Sequence, residues 1–532
     1  MAGTVETDLA FFSGASGGSS NTSCDTITDW SPTTTLDTEI FIQGTGSQSA
    51  KVSKSGGTTN RFWFSLTGTA DVTDKMIYVW AYSLLPRLLA TKANLGFGIR
   101  VESAAANWSE WTIAGNDTWS GAWKCFAVHT SQTPTSTGTN PATLSAINKV
   151  AVVWTVTGIA KVSPNVFWDG IRFGTELRIR GGTSASPATF QDFITAEDNV
   201  SNKYGILEEI EGILMCQGNL QFGSTTSGES THFEDTSKVL VFKEGPNTFP
   251  AEYFQIEVLG NSGTFTTVIF GDEVDSSGVS GCNFRSSAVP KYKFFADDQY
   301  ISTLGLYGCS FYDANTISLP GTFTSDHEVE NTNFEAGNVL NVDICKVLTC
   351  NFISADNIAV EMPRAHNVTY CRFINNPVGI HVTETSTGTL PLSGDLFSGN
   401  VVDIQFDGAA GTTLYLENTN GSDPTLFSCP NGGTIIILPT PVDLDVYVDD
   451  EDGNALSGIR VAIFTDPGGT QLMNELTVDG LATESYQYTT SQTVTVRVRK
   501  QGYIPVFQSA TIGAAGLLLY ITLYEDTVYN PV

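Results

Sequence analysis

The sequence predicts an all-β chain in three parts: an antiparallel sandwich, a coil of stacked parallel β-strands closed by a short helix, and a smaller second sandwich. Three observations predict it. A Cys-x-Phe pattern and its variants recur from Phe284 to Phe397 at intervals of 27, 23, 18, 21 and 24 residues. All nine tryptophans lie between Trp30 and Trp168. From about residue 441 apolar and polar residues alternate cleanly, as in half-buried strands.

A chain of 532 residues exceeds what one core supports, so two to four domains are expected. Asp and Glu outnumber Lys and Arg 56 to 26, a net charge of −30. Such a surface repels phosphate backbones and disfavours nucleic acid as a partner. The 51 glycines, the Ser/Thr-rich stretches and the lack of long amphipathic patterns point to strands and turns. "MAGTVETDLAFFSGASGGSS" has no basic start followed by an apolar core, so no signal peptide is read there. No apolar run is long enough to span a membrane. The nine cysteines are widely spread without tight CxxC pairs, which suits neither a disulfide framework nor a zinc site. They are expected to be reduced and buried, in a chain made in a reducing cytoplasm.

Taken in order, residues 1–28 read as an N-terminal arm and 29–176 as a sandwich. Its strands include "RFWFSL", "KMIYVWAYSL", "LGFGIRVES", "WKCFAVHT" and "KVAVVWTVTG", separated by Ser/Thr/Gly loops. With the lead-in "GTGSQSAKVS" and the closing pair Trp168-Asp169, this segment resembles the jelly-roll sandwich of carbohydrate-binding modules. The segment "NWSEWTIAGNDTWSGAW" concentrates Trp108, Trp111, Trp119 and Trp123. Flat indoles on one surface would stack on sugar rings, whereas core packing or a subunit contact is the commoner use of Trp in a sandwich. The resemblance implies a structural calcium at Asp169, but a lone Asp does not make a metal site, and no metal or cofactor is expected.

Residues 177–204 read as a linker and a capping helix. In "SPATFQDFITAEDN" Ser186 is expected to cap the helix and Pro187 to open it, with Phe190, Phe193 and Ile194 on one apolar face. The coil is expected over 205–438. Its units are "GCNF", "GCSF", "NTNF", "TCNF", "YCRF" and "GDLF", ending at Phe284, Phe311, Phe334, Phe352, Phe373 and Phe397. A period of about 20–25 residues marks a solenoid, and residues two apart on a strand share a face. The phenylalanines should therefore stack inside, Cys282, Cys309, Cys350 and Cys371 should form an internal ladder, and Asn315, Asn338, Asn357, Asn376 and Asn400 should line a corner. In "NVTYCRFINNPVGIHV" the residues Asn367, Phe373, Asn375, Asn376, Gly379, Ile380 and Val382 resemble the rung pattern of the right-handed parallel β-helix, or pectin-lyase-like, family.

Residues 441–532 form the last segment. Asp450, Gly453 and Leu456, the Asp479-Gly480 turn, and Lys500, Gly502, Tyr503 and Pro505 resemble the carboxypeptidase-regulatory-like, transthyretin-like sandwich. That resemblance implies a structural or adhesive module without catalysis of its own. "DDEDGN" lacks the EF-hand spacing and reads as a solvated hairpin turn.

Candidate chemistry is sparse. Asp313, Glu335 and Asp356 each follow a rung phenylalanine, and paired carboxylates on a β-helix would hydrolyse polysaccharide. They fall at different offsets, so no catalytic pair is expected. His232, His327, His366 and His381 are scattered, and Arg364 and Arg372 have no acid cluster beside them. The module order resembles external structural proteins of tailed-bacteriophage virions. That resemblance implies a head, neck or capsid-surface appendage, decoration or fibre on the virion surface, assembled in the host cytoplasm. Other virion proteins are its implied partners, with homo-oligomerisation, a trimer among the options, and contact with host glycans. The alternative is a tailspike-type polysaccharide depolymerase. A bacterial surface adhesin is disfavoured because neither a secretion signal nor an anchor is read.

Overall fold

The computed structural model describes residues 3–528 except 18–19, 53–57, 84–96, 114–121, 157–162, 164, 198–202, 243–254, 273–280, 287–290, 297, 321–326, 341, 343–344, 364, 366–367 and 420. The chain divides into two compact units, Met1–Ser318 and Leu319–Val532. The fold is all-β: a jelly-roll sandwich, a parallel β-helix with a short capping helix, and a small second sandwich.

In the first unit the sandwich packs two antiparallel sheets. One orders the strands Lys124–His129, Met76–Ser83, Asn165–Gly174, Ser47–Lys51 and Thr35–Asp37. The other orders Ser136–Thr137, Asn107–Ile113, Phe97–Ala104, Ile147–Val156, Thr58–Ala70 and Trp30–Ser31. Alternation decides what goes inside. Phe62 and Phe64 face the core while Arg61 and Trp63, which alternate with them, do not, and Trp111, Trp154 and Trp168 join the same core. Trp168 stacks on Phe62 at 4.9 Å and meets Trp30 edge-on at 5.4 Å.

The arm is not a separate tail. Thr4–Thr7 pairs antiparallel with Glu176–Arg180, and Ala10–Phe11 pairs with the sandwich strand Asn165–Gly174. Glu176–Arg180 itself pairs in parallel with Asn219–Gly223, so the parallel sheet starts ahead of residue 205.

The capping helix, α1, spans Phe190–Glu197 and starts later than Ser186 and Pro187 suggest. Ser186 instead closes a two-way backbone turn with Thr183, and Ala188 is still extended, bonded to His232 and Glu234. The cap comes from Asp192, whose carboxylate accepts the Thr189 amide at 2.9 Å, one half of a capping box. Phe190 and Phe193 are fully buried against Phe233 and Phe222. At the far end the buried Glu197 accepts the amides of Gly205, Ile206 and Leu207 at 2.8–3.0 Å. These are donors that an open end of the coil would leave unpaired.

Each rung places inward side chains on successive parallel strands at matching register. In the first unit Leu240, Phe284 and Phe311 are register neighbours, with Phe284 and Phe311 5.3 Å apart. In the second unit Phe334, Phe352, Phe373 and Phe397 stack at 5.0, 5.1 and 5.0 Å with interplanar angles of 5°, 6° and 10°. In-register parallel strands lie about 4.8 Å apart, so identical side chains are held nearly face to face. Phe397 ends its sheet and is only half-buried.

In five of the rungs two left-handed corners flank the inward pair, the Cys282–Phe284 rung being the exception. Three residues before the phenylalanine stand Gly308, Asn331, Thr349, Tyr370 and Gly394; two after it stand Asp313, Ala336, Ser354, Asn375 and Gly399. All ten have φ between +50° and +70°. The turn residue type therefore varies widely, and the backbone reversal is what recurs. The expected asparagine corner separates into two sets. Asn376 and Asn400 are buried: Asn376 donates to Phe352 O and Asn400 Oδ1 and accepts from Ala355 N. Asn338 lies one position further on, half-buried, and accepts the amides of Asn357 and Ile358, with Asn357 exposed. Asn367 lies outside the described residues.

The C-terminal sandwich pairs a sheet of Leu481–Tyr488, Thr440–Asp450 and Leu517–Leu523 with one of Gln471–Leu476, Arg460–Thr465, Gln492–Arg499 and Val506–Ile512. Val442, Leu444, Val446, Val461, Ile463, Val494, Val496 and Ile521 fill the space between them. The Asp450–Asn454 turn is exposed and held by Asp450, whose carboxylate accepts the Asp452 and Asn454 amides. The chain folds back on itself here, with Asp450 N donating to Asn454 O at 3.0 Å, Leu456 N to Val448 O at 2.9 Å and Asp449 bridging Ala455 antiparallel, before it joins the opposite sheet at Arg460.

Candidate functional site

The tryptophan segment does not form one platform. Trp111 is 1% exposed and donates its Nε1–H to Gln132 O at 3.0 Å, so it belongs to the core and cannot stack on a sugar. Trp119 lies outside the described residues. Trp123 is half-buried beside Tyr82, ring centroids 5.7 Å apart, on the other sheet. Trp108 is half-buried and faces outward with Trp63, Arg100, Glu102 and Glu110, as the strand register requires.

On that outward face Arg100 lies over the Trp108 ring at 3.4 Å and the Trp63 ring at 4.9 Å. Its charge is met by Glu110 at 3.5 Å and Glu102 at 4.0 Å. Arg61 bonds Glu110 and Lys149 bonds Glu102, each at 2.9 Å. Arg100, Glu102 and Glu110 are themselves buried, so the row is a paired ionic layer flanked by two half-buried indoles, and the indoles are its accessible part. Lys149 also lies over the Trp63 ring, at 5.9 Å, so both half-buried indoles carry a cation. Sequence reading missed Trp63 because it sits alone in "RFWFSL"; alternation against the core residues Phe62 and Phe64 was the available signal.

Asp169, the other residue weighed on this domain, is fully buried. Its Oδ2 accepts the amides of Ile42 and Gln43 at 3.0 and 3.2 Å, and burial pushes its pKa up to about 8. Among the described residues no group of three or more His, Cys, Asp or Glu side chains converges to hold a metal ion.

The three carboxylates proposed from the repeat occupy three different places in the rung. Asp313 holds the left-handed corner at φ 57° and binds Lys291 Nζ at 2.7 Å; the equivalent corners elsewhere are Ala336, Ser354, Asn375 and Gly399. Its residue type is explained by the turn. Glu335 lies exposed on its strand in register with Ile353, and Asp356 is exposed in the loop before Ile358. They form no aligned acid pair.

A constellation missed from sequence lies elsewhere on the β-helix. Glu361, His381 and Gln405 are register neighbours on three successive strands. His381 Nε2 lies 2.9 Å from Asp407 and its Nδ1 3.6 Å from Glu361. Burial alone would lower the imidazole pKa, but its bonds to Glu361 and Asp407 outweigh that and raise it. The signal was there: all three are the outward position in Ile358–Met362, Val378–Val382 and Val402–Phe406. An imidazolium held between two carboxylates is first of all an ion-pair clasp across rungs.

The four repeat cysteines are buried, and two rungs carry another residue in their place. Cys282 and Cys309 are fully buried in the first unit, Cys350 and Cys371 in the second. Thr332 and Asp395 take the same inward position, two before Phe334 and Phe397. The Cys350 thiol donates to Leu348 O at 3.1 Å and Val329 O at 3.4 Å, and that of Cys371 to Thr369 O at 3.5 Å. Burial pushes the Cys309 thiol up to about 12 and those of Cys282 and Cys350 well above the usual range. These thiols are structural rather than nucleophilic. None of the nine cysteines is disulfide-bonded.

No protein-family model matches the chain, and no curated protein does. Among solved structures, an exo-β-agarase is similar over 27% of this chain and 22% of its own, at 11% identity and a TM-score of 0.19. The Clostridium thermocellum N-terminal endo-1,4-β-D-xylanase 10B, as CBM22-1–GH10 modules with xylohexaose, is similar over 27% of this chain and 26% of its own, at 15% identity and a TM-score of 0.17. This chain thus spans about a quarter of the length of either structure. Likenesses at such TM-scores carry no argument about what this chain does.

Proposed function

We propose that the chain is an external structural protein of a tailed-bacteriophage virion: a head, neck or capsid-surface appendage, decoration or fibre. One observation carries the reading. The rungs are built for rigidity, with phenylalanines stacked at 5.0–5.1 Å, a buried Asn376–Asn400 pair and inert thiols. The acids weighed for catalysis are taken up by a corner, a solvent-facing strand position and an exposed loop. Glycan contact fits the outward Trp63–Arg100–Trp108 row of the first sandwich, and the net charge of −30 speaks against nucleic acid. Antibodies raised against residues 441–528 and applied to gradient-purified particles test the reading by electron microscopy. Label at one recurring position on intact virions supports it, and unlabelled virions contradict it.

The Glu361–His381–Asp407 cluster favours a second reading, a polysaccharide depolymerase. Incubation of the full chain with host polysaccharide, assayed for reducing ends and unsaturated sugars, separates the two. Turnover abolished by Glu361→Gln or Asp407→Asn would select the enzyme.

A further inference from the structure

Within the C-terminal sandwich the two outward faces carry opposite charge. Residues 441–532 hold twelve Asp and Glu and only four Lys and Arg, Lys500 and three arginines. All three arginines point outward from one sheet. Arg460 lies opposite Arg499 on the neighbouring strand, and Arg497 lies opposite Ala462 on one side and Phe507 on the other. Arg497 rests over the Phe464 ring at 4.4 Å and near Phe507 at 6.0 Å. Arg460, Arg497, Arg499 and Phe507 are exposed, the last by 67%. The other outward positions of this sheet are Asn474, Leu476, Thr493, Thr495, Ser509 and Thr511, so the register places no carboxylate among the arginines.

The opposite sheet is the reverse. Asp443, Asp445 and Asp449 alternate outward on its central strand, with Tyr447 between them. Tyr447 stacks on Tyr520 at 5.0 Å and 14°, and Tyr520 and Leu518 are 71% and 59% exposed. Its register partners are Thr483, Ser485, Leu518 and Thr522, none of them basic. Three carboxylates around two tyrosines thus stand on one side of the sandwich, and three guanidiniums around two phenylalanines on the other. Guanidinium forks match carboxylates in geometry and stack on aromatic rings, so each face offers what the other lacks. Phe507 on one face and Tyr447 and Tyr520 on the other are exposed aromatic surface that a partner would cover.

We infer that the partner is a second copy of this chain: the Arg460–Arg497–Arg499 face of one C-terminal sandwich docks on the Asp443–Asp445–Asp449 face of the next. The faces lie on opposite sides of a two-layer sandwich, so one neighbour cannot engage both. The contact is heterologous, and copies related by a closing rotation make a ring.

The test uses the full chain in low salt, measured by sedimentation velocity at tens of micromolar. Wild type should sediment as an oligomer larger than a dimer and dissociate as salt is raised. The triple variant Arg460→Glu/Arg497→Glu/Arg499→Glu should be monomeric, as should Asp443→Lys/Asp445→Lys/Asp449→Lys. Each variant keeps one native face, so an equimolar mixture restores a complementary contact and should associate although neither variant does so alone. Circular dichroism and melting of each variant show whether it is folded; single reversals Arg497→Glu and Asp445→Lys replace a triple variant that is not. A monomeric wild type, an oligomer unchanged by either reversal, or a mixture that stays monomeric overturns the inference.

Discussion

Asp395 shows at a single residue what the repeat tolerates. It stands where a cysteine or Thr332 stands in other rungs, and it is 2% exposed. Its carboxylate accepts the amides of Cys371 and Ser393, both at 2.9 Å, yet burial outweighs them and pushes its pKa up to about 7. The folded pKa lies above the unfolded value near 3.9, so the protonated form is the one folding favours. The resulting stability is full below about pH 4 and is lost as pH rises through about 7. Asp395→Asn should flatten that slope, removing at most about 4 kcal/mol of pH dependence. Urea denaturation of both proteins from pH 4.5 to 8 checks it, and an unchanged slope would locate the titration elsewhere. Phe373→Ala should cost about 3–5 kcal/mol, because its ring is wholly buried between two stacked neighbours. Phe397→Ala should cost less, since that ring is half-buried at a sheet end; the same denaturation series measures the difference. The columns were legible in the sequence because an inward position repeats in every rung. Asp395 was not: a polar residue in an apolar ladder reads as a break in the pattern until its partners are seen.

At the scale of the element, corners and caps were the least legible. The corner backbone recurs while its residue changes from Asp313 to Ala336, Ser354, Asn375 and Gly399, so identity alone could not align it. That is why Asp313 looked like a candidate acid and why the asparagines looked like one set. Asn376→Ala should strip partners from Ala355 N and Phe352 O, a loss of about 1–3 kcal/mol, whereas Asn338→Ala, nearer solvent, should cost under about 1 kcal/mol. Thermal melts of the pair decide whether the two sets differ. Helix α1 was legible by its apolar face, but its start was not, because the chain extends through Ala188 to bond with the strand at Phe233. Glu197 was invisible as a cap because its three amide partners are eight to ten residues further along the chain. Glu197→Ala should leave those amides unpaired and lower the melting temperature more than Glu208→Ala, an exposed acid on the strand Leu207–Ile210.

For the whole molecule, composition and module order carried the functional reading, and the outward surfaces refined it. Four tryptophans in one segment suggested a sugar platform, but Trp111 turned inward and left Trp63 and Trp108 beside Arg100. Trp63→Ala should weaken retention on immobilised host glycan, read by affinity electrophoresis beside wild type, and unchanged retention would remove the row from the proposal. The proposal places this chain on a virion in many copies rather than free in solution. Quantitative mass spectrometry of virions banded twice on a density gradient tests that most directly. The expected result is this chain at a fixed copy number per particle, in constant ratio to the major capsid protein across the band. Its absence from the banded particles, with all of it left in the soluble fraction, would contradict the proposal.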